Sequence, residues 1–439
     1  MGDNSASPHG GSLVERVLSP EQARGLAELP QIPVRDQIAT ECIDIAYGFL
    51  SPLEGFMGKA DLDSVVREMR LANGLVWSIP ILFDLSDEEL ARHRVSAGES
   101  YLLSYAGRPL ASFDVEEIYT YDNEAIAAGV YGTVDSAHPG VQRTRRYGAN
   151  FLAGKVSLLG APVLSPPYDA FFQTPRQLRE RFAQLGWRRI VAFQTRNVPH
   201  VGHEWLMKGA WFAAGADGIL DNPVIGEKKD GDAIDEAILA GHQALLDGGY
   251  FKPDVHMVSA LLWDMRYAGP REAVFHAIVR KNLGCTHHVF GRDHAGVGSF
   301  YDPYAAHRIF DDLPDLGIEP VITQAWGVCE LCGPAYARFC NHPKERQKEI
   351  SGTWLRGLIR DGATPDPDVL RPEVFAAMLR AGADHGFGSP FVSERYLRER
   401  APVFSAPGEQ APSAQGEAGP PDGRPAQSAN RASEEKVTA

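Results

Sequence analysis

Gln194-Thr195-Arg196-Asn197-Val198-Pro199-His200-Val201-Gly202-His203-Glu204 gathers two amides, a hydroxyl, a guanidinium, two imidazoles and a carboxylate into one short run. It leaves an apolar stretch, Ile190-Val191-Ala192-Phe193, and enters residues at helical spacing. A helix start offers free backbone N–H groups and the positive end of the dipole, which suits an anion. Arg196 presents a planar fork of donors matched to a tetrahedral oxyanion. His200 and His203, three apart, project to one side of the first turn, and Gly202 lets a phosphate approach the backbone. An isolated HxxH is most often a pair of surface histidines, and this one lacks the HExxH arrangement of zinc proteases. Its place between strand and helix favours anion chemistry.

A second loop, Gly291-Arg292-Asp293-His294-Ala295-Gly296-Val297-Gly298, also follows a strand-like segment, residues 287–290. Glycines around Arg and His suit a loop that wraps a nucleotide with backbone donors, although most glycine-rich loops are simply turns. Ile350-Ser351-Gly352-Thr353-Trp354-Leu355-Arg356 resembles the ISxTxxR element that other nucleotidylyltransferases use near the triphosphate, and it reads equally well as a Ser/Thr cap before an amphipathic helix. Cys329-x2-Cys332-x7-Cys340-x-His342 supplies three thiolates and an imidazole, which satisfy tetrahedral zinc and leave no open position. The site is therefore expected to be structural. The other cysteines, Cys42 and Cys285, read as small core residues, and an odd total of five argues against a disulfide framework.

The elements that must position these groups follow from the pattern. From about residue 174 strands alternate with helices: 188–194, then a helix over 203–214, a strand at 218–220, a helix over 232–246, a strand at 254–261, a helix from 270 to 283, and strands at 287–290 and 318–323. That rhythm predicts a parallel sheet covered on both faces, in an α/β domain. Ligands of such sheets sit beyond the carboxyl ends of the strands, which places the chemistry just after Phe193 and just after Phe290. Residues 13–166 carry short strand-like runs at 77–83, 100–104 and 109–115 and predict a β-rich domain with a few helices. Residues 1–12 and 404–439 are poor in large apolar side chains and are expected to be disordered.

With 439 residues the chain should form two or three domains, and 44% hydrophobic with 23% charged residues is a globular composition. Forty-three basic against 57 acidic residues give a net charge of −14. That field argues against holding nucleic acid through overall charge, so an anionic ligand needs a local cluster of donors. No apolar run approaches the ~18 residues of a membrane span and no signal-peptide pattern opens the chain; a cytoplasmic location is expected.

HxGH after a strand resembles the signature of the nucleotidylyltransferase superfamily. The longer QTRN-x-P-H-x-G-H-E string is narrower and resembles ATP sulfurylases, as do GRDHAG, the preceding Met265-Arg266-Tyr267-Ala268-Gly269-Pro270-Arg271-Glu272-Ala273, and Tyr47-Gly48-Phe49-Leu50-Ser51-Pro52-Leu53-Glu54-Gly55-Phe56-Met57. Val198 and Val201 depart from the Pro and Arg of many members. The resemblance spans roughly residues 15–400 and implies a PUA-like N-terminal domain (13–166), a Rossmann-like catalytic domain with a zinc clip (167–345), a small helical domain (346–403) and a homo-oligomer, commonly a dimer.

It implies sulfate adenylyltransfer from Mg2+-bound ATP, with pyrophosphate released. Gln194 and Arg196 would bind sulfate, with a backbone N–H from Ala295. Thr195 and Asn197 would contact the α-phosphate region, and His200 and His203 the leaving pyrophosphate. Gly291, Arg292, Asp293 and His294 would hold the adenosine. Cys329, Cys332, Cys340 and His342 would bind structural zinc. No GxxxxGK[ST] P-loop occurs, so a fused APS kinase, found in some relatives, is not expected. Two other readings stay open: a nucleotidylyltransferase with a different acceptor, and a PUA/zinc RNA-binding protein.

Overall fold

The computed structural model describes residues 6–324, 326–336, 339–350 and 352–408. Residues 1–5 and 409–439 of the expected disordered tails, and Ser351 of the third motif, lie outside the described residues.

The N-terminal part is built on strands β1 (Gln31–Pro33), β2 (Gly55–Phe56), β3 (Phe83–Leu85), β4 (Ser100–Tyr105), β5 (Arg108–Thr120) and β6 (Asn150–Leu158), with the spatial order β1-β4-β5-β6-β2 and β3 also against β6. All pairs are antiparallel except β1 with β4. The β4–β5 hairpin closes through Ala106 and Gly107, both at positive φ, the geometry that matches strand twist in two-residue turns. Phe56, Phe83 and Phe113 meet at ring separations of 5.4–5.8 Å and centre the core. The strand expected over 77–83 is instead buried irregular chain that becomes a strand only at Phe83. Pro80 has no N–H to give a ladder, and Trp77 Nε1 donates locally to Ile79 O.

The second part is the parallel sheet. After the short β7 (Val163–Leu164) come β8 (Ile190–Thr195), β9 (Gly218–Ile225), β10 (His256–Val258), β11 (Leu261–Leu262), β12 (His287–Phe290) and β13 (Glu319–Ile322). The order is β10-β9-β8-β12-β13, with β11 also beside β9, and every pairing is parallel. Alternation along β8 shows why the sheet is covered twice: Ile190 and Ala192 join the core shared with the N-terminal part, whereas Val191 and Phe193 join a second core on the opposite face. Each fully buried side chain of this kind contributes ~1.5–3 kcal/mol. The second core is completed by Val374, Met378 and Tyr396, contributed by the helices Pro372–Asp384 and Glu394–Glu399. Cys42 and Cys285 are fully buried.

Three antiparallel strands, β14 (Trp326–Cys329), β15 (Gly333–Tyr336) and β16 (Gln347–Glu349), form the cysteine-bearing clip, which thus runs past residue 345. Residues 6–12 and 404–408 of the expected tails pack against the rest of the chain. His9 is buried; its N–H donates to Asn282 Oδ1 and its Nε2 bonds Val76 O. At the other end β17 (Phe404–Ser405) pairs with β7, and Phe404 packs on Tyr105 at 5.0 Å.

Candidate functional site

β8 and β12 are neighbours, in register at His287 with Val191 and His288 with Ala192. The two motif loops therefore leave the same edge of the sheet side by side. The helix Pro270–Asn282 supplies a third segment, residues 265–269, that joins them. Arg196 Nη1 bonds the hydroxyl of Tyr267, and two residues later Gly269 N–H donates to Ala295 O at 3.0 Å. Arg196 and the GRDHAG loop are thus tied to opposite ends of three residues.

The Arg196 side chain is only 19% exposed, and its second nitrogen donates to Glu227 O (2.9 Å) and lies 3.7 Å from Asp232. Burial opposes its charge, but Tyr267 and Asp232 outweigh this and hold the guanidinium firmly cationic. Tyr267 lies between two cations, with Arg196 and Lys229 each 5.4 Å from its ring centre. Its backbone is left-handed (φ 59°), as are Asp293 (59°) and Ala295 (55°). Such a conformation costs on the order of 1–3 kcal/mol at a non-glycine residue and collects at functional sites. Half of the six left-handed non-glycine residues among those described fall here.

Gln194 Nε2 is 3.8 Å from Met265 Sδ, and its buried carbonyl oxygen has no partner among the described residues. Thr195 Oγ1 accepts from Asn197 N–H (3.1 Å), and Asn197 Oδ1 accepts from Arg356 Nη1 (3.0 Å). The third motif therefore reaches the first through its arginine. Asp293 N–H donates to Pro303 O at 2.6 Å, Gly291 O bonds His307 Nε2, and Arg292 is exposed.

His200 and His203 stack, with ring centres 3.7 Å apart, and His203 Nδ1 accepts from His200 N–H. They share one side, as their spacing predicted. At Gly202 a Cβ would come within 2.9 Å of the His200 ring, so the glycine makes room for imidazole. The helix start is also less open to anions than expected, because Val201 N–H donates to Val369 O. Burial depresses both imidazoles, His200 to about 4 and His203 well below its usual value, with His200 adding repulsion at His203. They act as neutral groups.

A pH dependence of stability follows. His200 and His9, both depressed to about 4 chiefly by burial, stay neutral in the fold but bind protons near 6.5 once unfolded. Their stabilising effect is complete above pH 6.5 and is lost as pH falls toward 4, by up to about 1.4 kcal/mol per pH unit for each imidazole. The urea midpoint should fall steadily between pH 7 and 5, and His9→Asn should flatten the slope; a level profile would contradict the assignment.

Sequence reasoning missed several partners. Glu204 is fully buried against Arg371 (2.7 Å) and Lys208 (3.1 Å), and Lys228 pairs with Asp235 at 2.6 Å in the interior. Their signal was too diffuse: Glu204 and Arg371 are distant in sequence, Glu204 and Lys208 look like a solvated helix face, and Lys228 and Asp235 look like ordinary charges of a polar loop and helix start. Tyr267 stood inside a quoted motif, but nothing in its type indicated a role.

The ligand atoms of Cys329, Cys332, Cys340 and His342 all lie within 4.8 Å of one another, a group that could hold a metal ion. The separations Cys332–Cys340 (3.7 Å), Cys340–His342 (3.5 Å) and Cys329–His342 (3.3 Å) approach the ~3.5–3.8 Å edges of a tetrahedron with metal bonds of ~2.0–2.3 Å. Trp326 of the clip stacks on Trp205 of the helix Val201–Ala214 at 6.0 Å. A cavity of about 710 Å³ is lined by Arg35, Arg146 and Tyr147 from the N-terminal part, by Arg400 and by Glu227, whose carbonyl Arg196 bonds; none of the described motif residues lines it. No described helix is long and apolar enough to cross a membrane.

Comparison with known proteins agrees with this layout. Residues 169–381 match the ATP-sulfurylase family, and residues 6–161 match a PUA-like domain. The chain is 44% identical over 378 residues to a sulfate adenylyltransferase of Hyperthermus butylicus, covering 85% of this chain and 95% of that protein. It is 43% identical to one of Staphylothermus marinus (88% and 99% covered) and 38% identical to one of Archaeoglobus fulgidus (89% and 94%). Among solved structures, a hexameric APS kinase from Thiobacillus denitrificans shares the fold, with a TM-score of 0.67 at 23% identity over 86% of this chain and 68% of that one. With a sheet edge that brings both motifs together and relatives this similar along nearly their whole length, the chain belongs to the ATP-sulfurylase family.

Proposed function

We propose that this chain is a sulfate adenylyltransferase. A sulfate oxygen attacks the α-phosphorus of MgATP in line, a new S–O–P linkage forms, the bond to the β-phosphate oxygen breaks, and adenylyl sulfate and pyrophosphate leave. Sulfate is already fully ionised, so no general base is needed, and catalysis rests on positioning and on charge stabilisation. The observation that carries the reading is the bridge through residues 267–269 between Arg196 and the Ala295 loop. Arg196 and Gln194 bind sulfate, with Ala295 adding its N–H. Thr195 and Asn197 contact the α-phosphate, Asn197 being held by Arg356. His200 and His203, neutral and therefore single donors, bond the pyrophosphate as it leaves. Gly291, Arg292, Asp293 and His294 hold the adenosine. Mg2+ arrives as part of the nucleotide substrate.

The test is exchange of labelled pyrophosphate into ATP, which should require sulfate and stop without it. Exchange that ignores sulfate would identify a related enzyme with another acceptor. Binding of RNA at moderate salt without any exchange would point to the PUA-like domain and the clip instead.

The clip is read as a structural zinc site, since its four soft donors leave no open position. Purified protein should contain about one zinc per chain. Chelation should lower the melting temperature and, by loosening Trp326 from Trp205, change the intrinsic fluorescence. Metal-free protein with the same melting temperature and spectrum would remove zinc from the account.

A further inference from the structure

One carboxylate reaches both halves of the site. Glu272 is fully buried in the first turn of the helix Pro270–Asn282. Its Oε1 accepts from Arg266 N–H (2.8 Å) and Trp263 Nε1 (3.2 Å), and its Oε2 from Ala268 N–H (3.0 Å). Arg266 and Ala268 flank Tyr267, so these bonds clamp the left-handed residue whose hydroxyl bonds Arg196. Toward the other loop, His276 Nε2 lies 3.5 Å from Glu272 Oε1, an ion-pair approach, and has no hydrogen-bond partner among the described residues. Its Nδ1 is 3.0 Å from His294 Nε2. A proton on His276 Nε2, facing the carboxylate, makes Nδ1 an acceptor, so His294 must donate from Nε2 and keep a lone pair at Nδ1.

We propose that Glu272 is a positioning residue for both substrates: through the backbone on either side of Tyr267 it sets Arg196 for sulfate, and through His276 it fixes the tautomer of His294 for the nucleotide. This rests on the sulfate adenylyltransferase reading for the identity of the substrates. A glutamate at this turn is often only a helix cap, serving the N–H groups that precede the helix. A cap would affect stability alike in every variant and would not separate the substrates.

Three variants make the separation. Tyr267→Phe keeps the ring and removes the hydroxyl; kcat/KM for sulfate should fall roughly tenfold while KM for MgATP stays within about twofold. His276→Ala should do the converse, raising KM for MgATP roughly tenfold with sulfate little changed. Glu272→Gln, whose amide meets backbone N–H groups with its own N–H, should impair both. Should Glu272→Gln not fold, the two branch variants carry the test. The histidine pair is also read without turnover: in 15N-histidine spectra the wild type should show His294 protonated at Nε2, and His276→Ala should release that preference. Variants that lose stability but show no split between substrates, or a His294 protonated at Nδ1 in the wild type, would overturn the proposal. Absence of sulfate-dependent exchange in the wild type would instead sink the proposed activity, and the spectra would still decide the relay.

Discussion

Arg196→Ala should lower turnover with sulfate by about 10²–10³, the usual loss when one preorganised donor to developing charge is removed. Arg196 belongs to the first motif loop, is 19% exposed, and is fixed by Tyr267 and Glu227 O. Its guanidinium therefore meets the anion without first reorganising, and the gain is realised in the transition state rather than in ground-state binding. Most of the loss should appear in kcat. Arg196→Lys keeps the charge but not the fork, so it should recover only a small part. Near-normal turnover by Arg196→Ala would remove this residue from the sulfate site.

Arg266→Met should destabilise the protein by ~3–5 kcal/mol, the cost of leaving a buried partner unpaired. Arg266 bonds Glu41 across the boundary between the N-terminal part and the sheet, with both side chains nearly inaccessible (3% and 2%). Burial pushes the Glu41 carboxyl up, and Arg266 is the chief influence against it. Asp44, also buried and pushed up by burial and by Glu41, adds to the acidic side of this junction. Without Arg266, Glu41 must either keep an uncompensated charge in the interior or take up a proton. The double variant Glu41→Leu, Arg266→Met should regain most of the loss, since an apolar pair of similar volume has no charge to desolvate. A single variant as stable as the wild type in urea denaturation would show the pair to be dispensable.

Much of the site was legible because its chemistry is local in sequence. Strand, motif loop and helix start succeed one another over residues 190–214, and the same order recurs around β12. The alternation of strands and helices then sufficed to predict a parallel sheet with both loops at one edge. What was not legible depends on contacts between distant residues. The Glu41–Arg266 pair spans 225 positions, Asn197–Arg356 spans 159, and Glu204–Arg371 spans 167. Composition misled over the described residues 6–12 and 404–408, where His9 and Phe404 are buried among polar and small residues.

The most direct measurement is a crystal structure with adenylyl sulfate bound. The sulfate oxygens should lie at hydrogen-bond distance, about 2.7–3.2 Å, from the Arg196 guanidinium. The adenosine should lie against the loop that begins at Gly291. Adenylyl sulfate found instead in the cavity beside Arg35, Arg146 and Arg400, with the Arg196–Tyr267 region empty, would contradict the account at its centre.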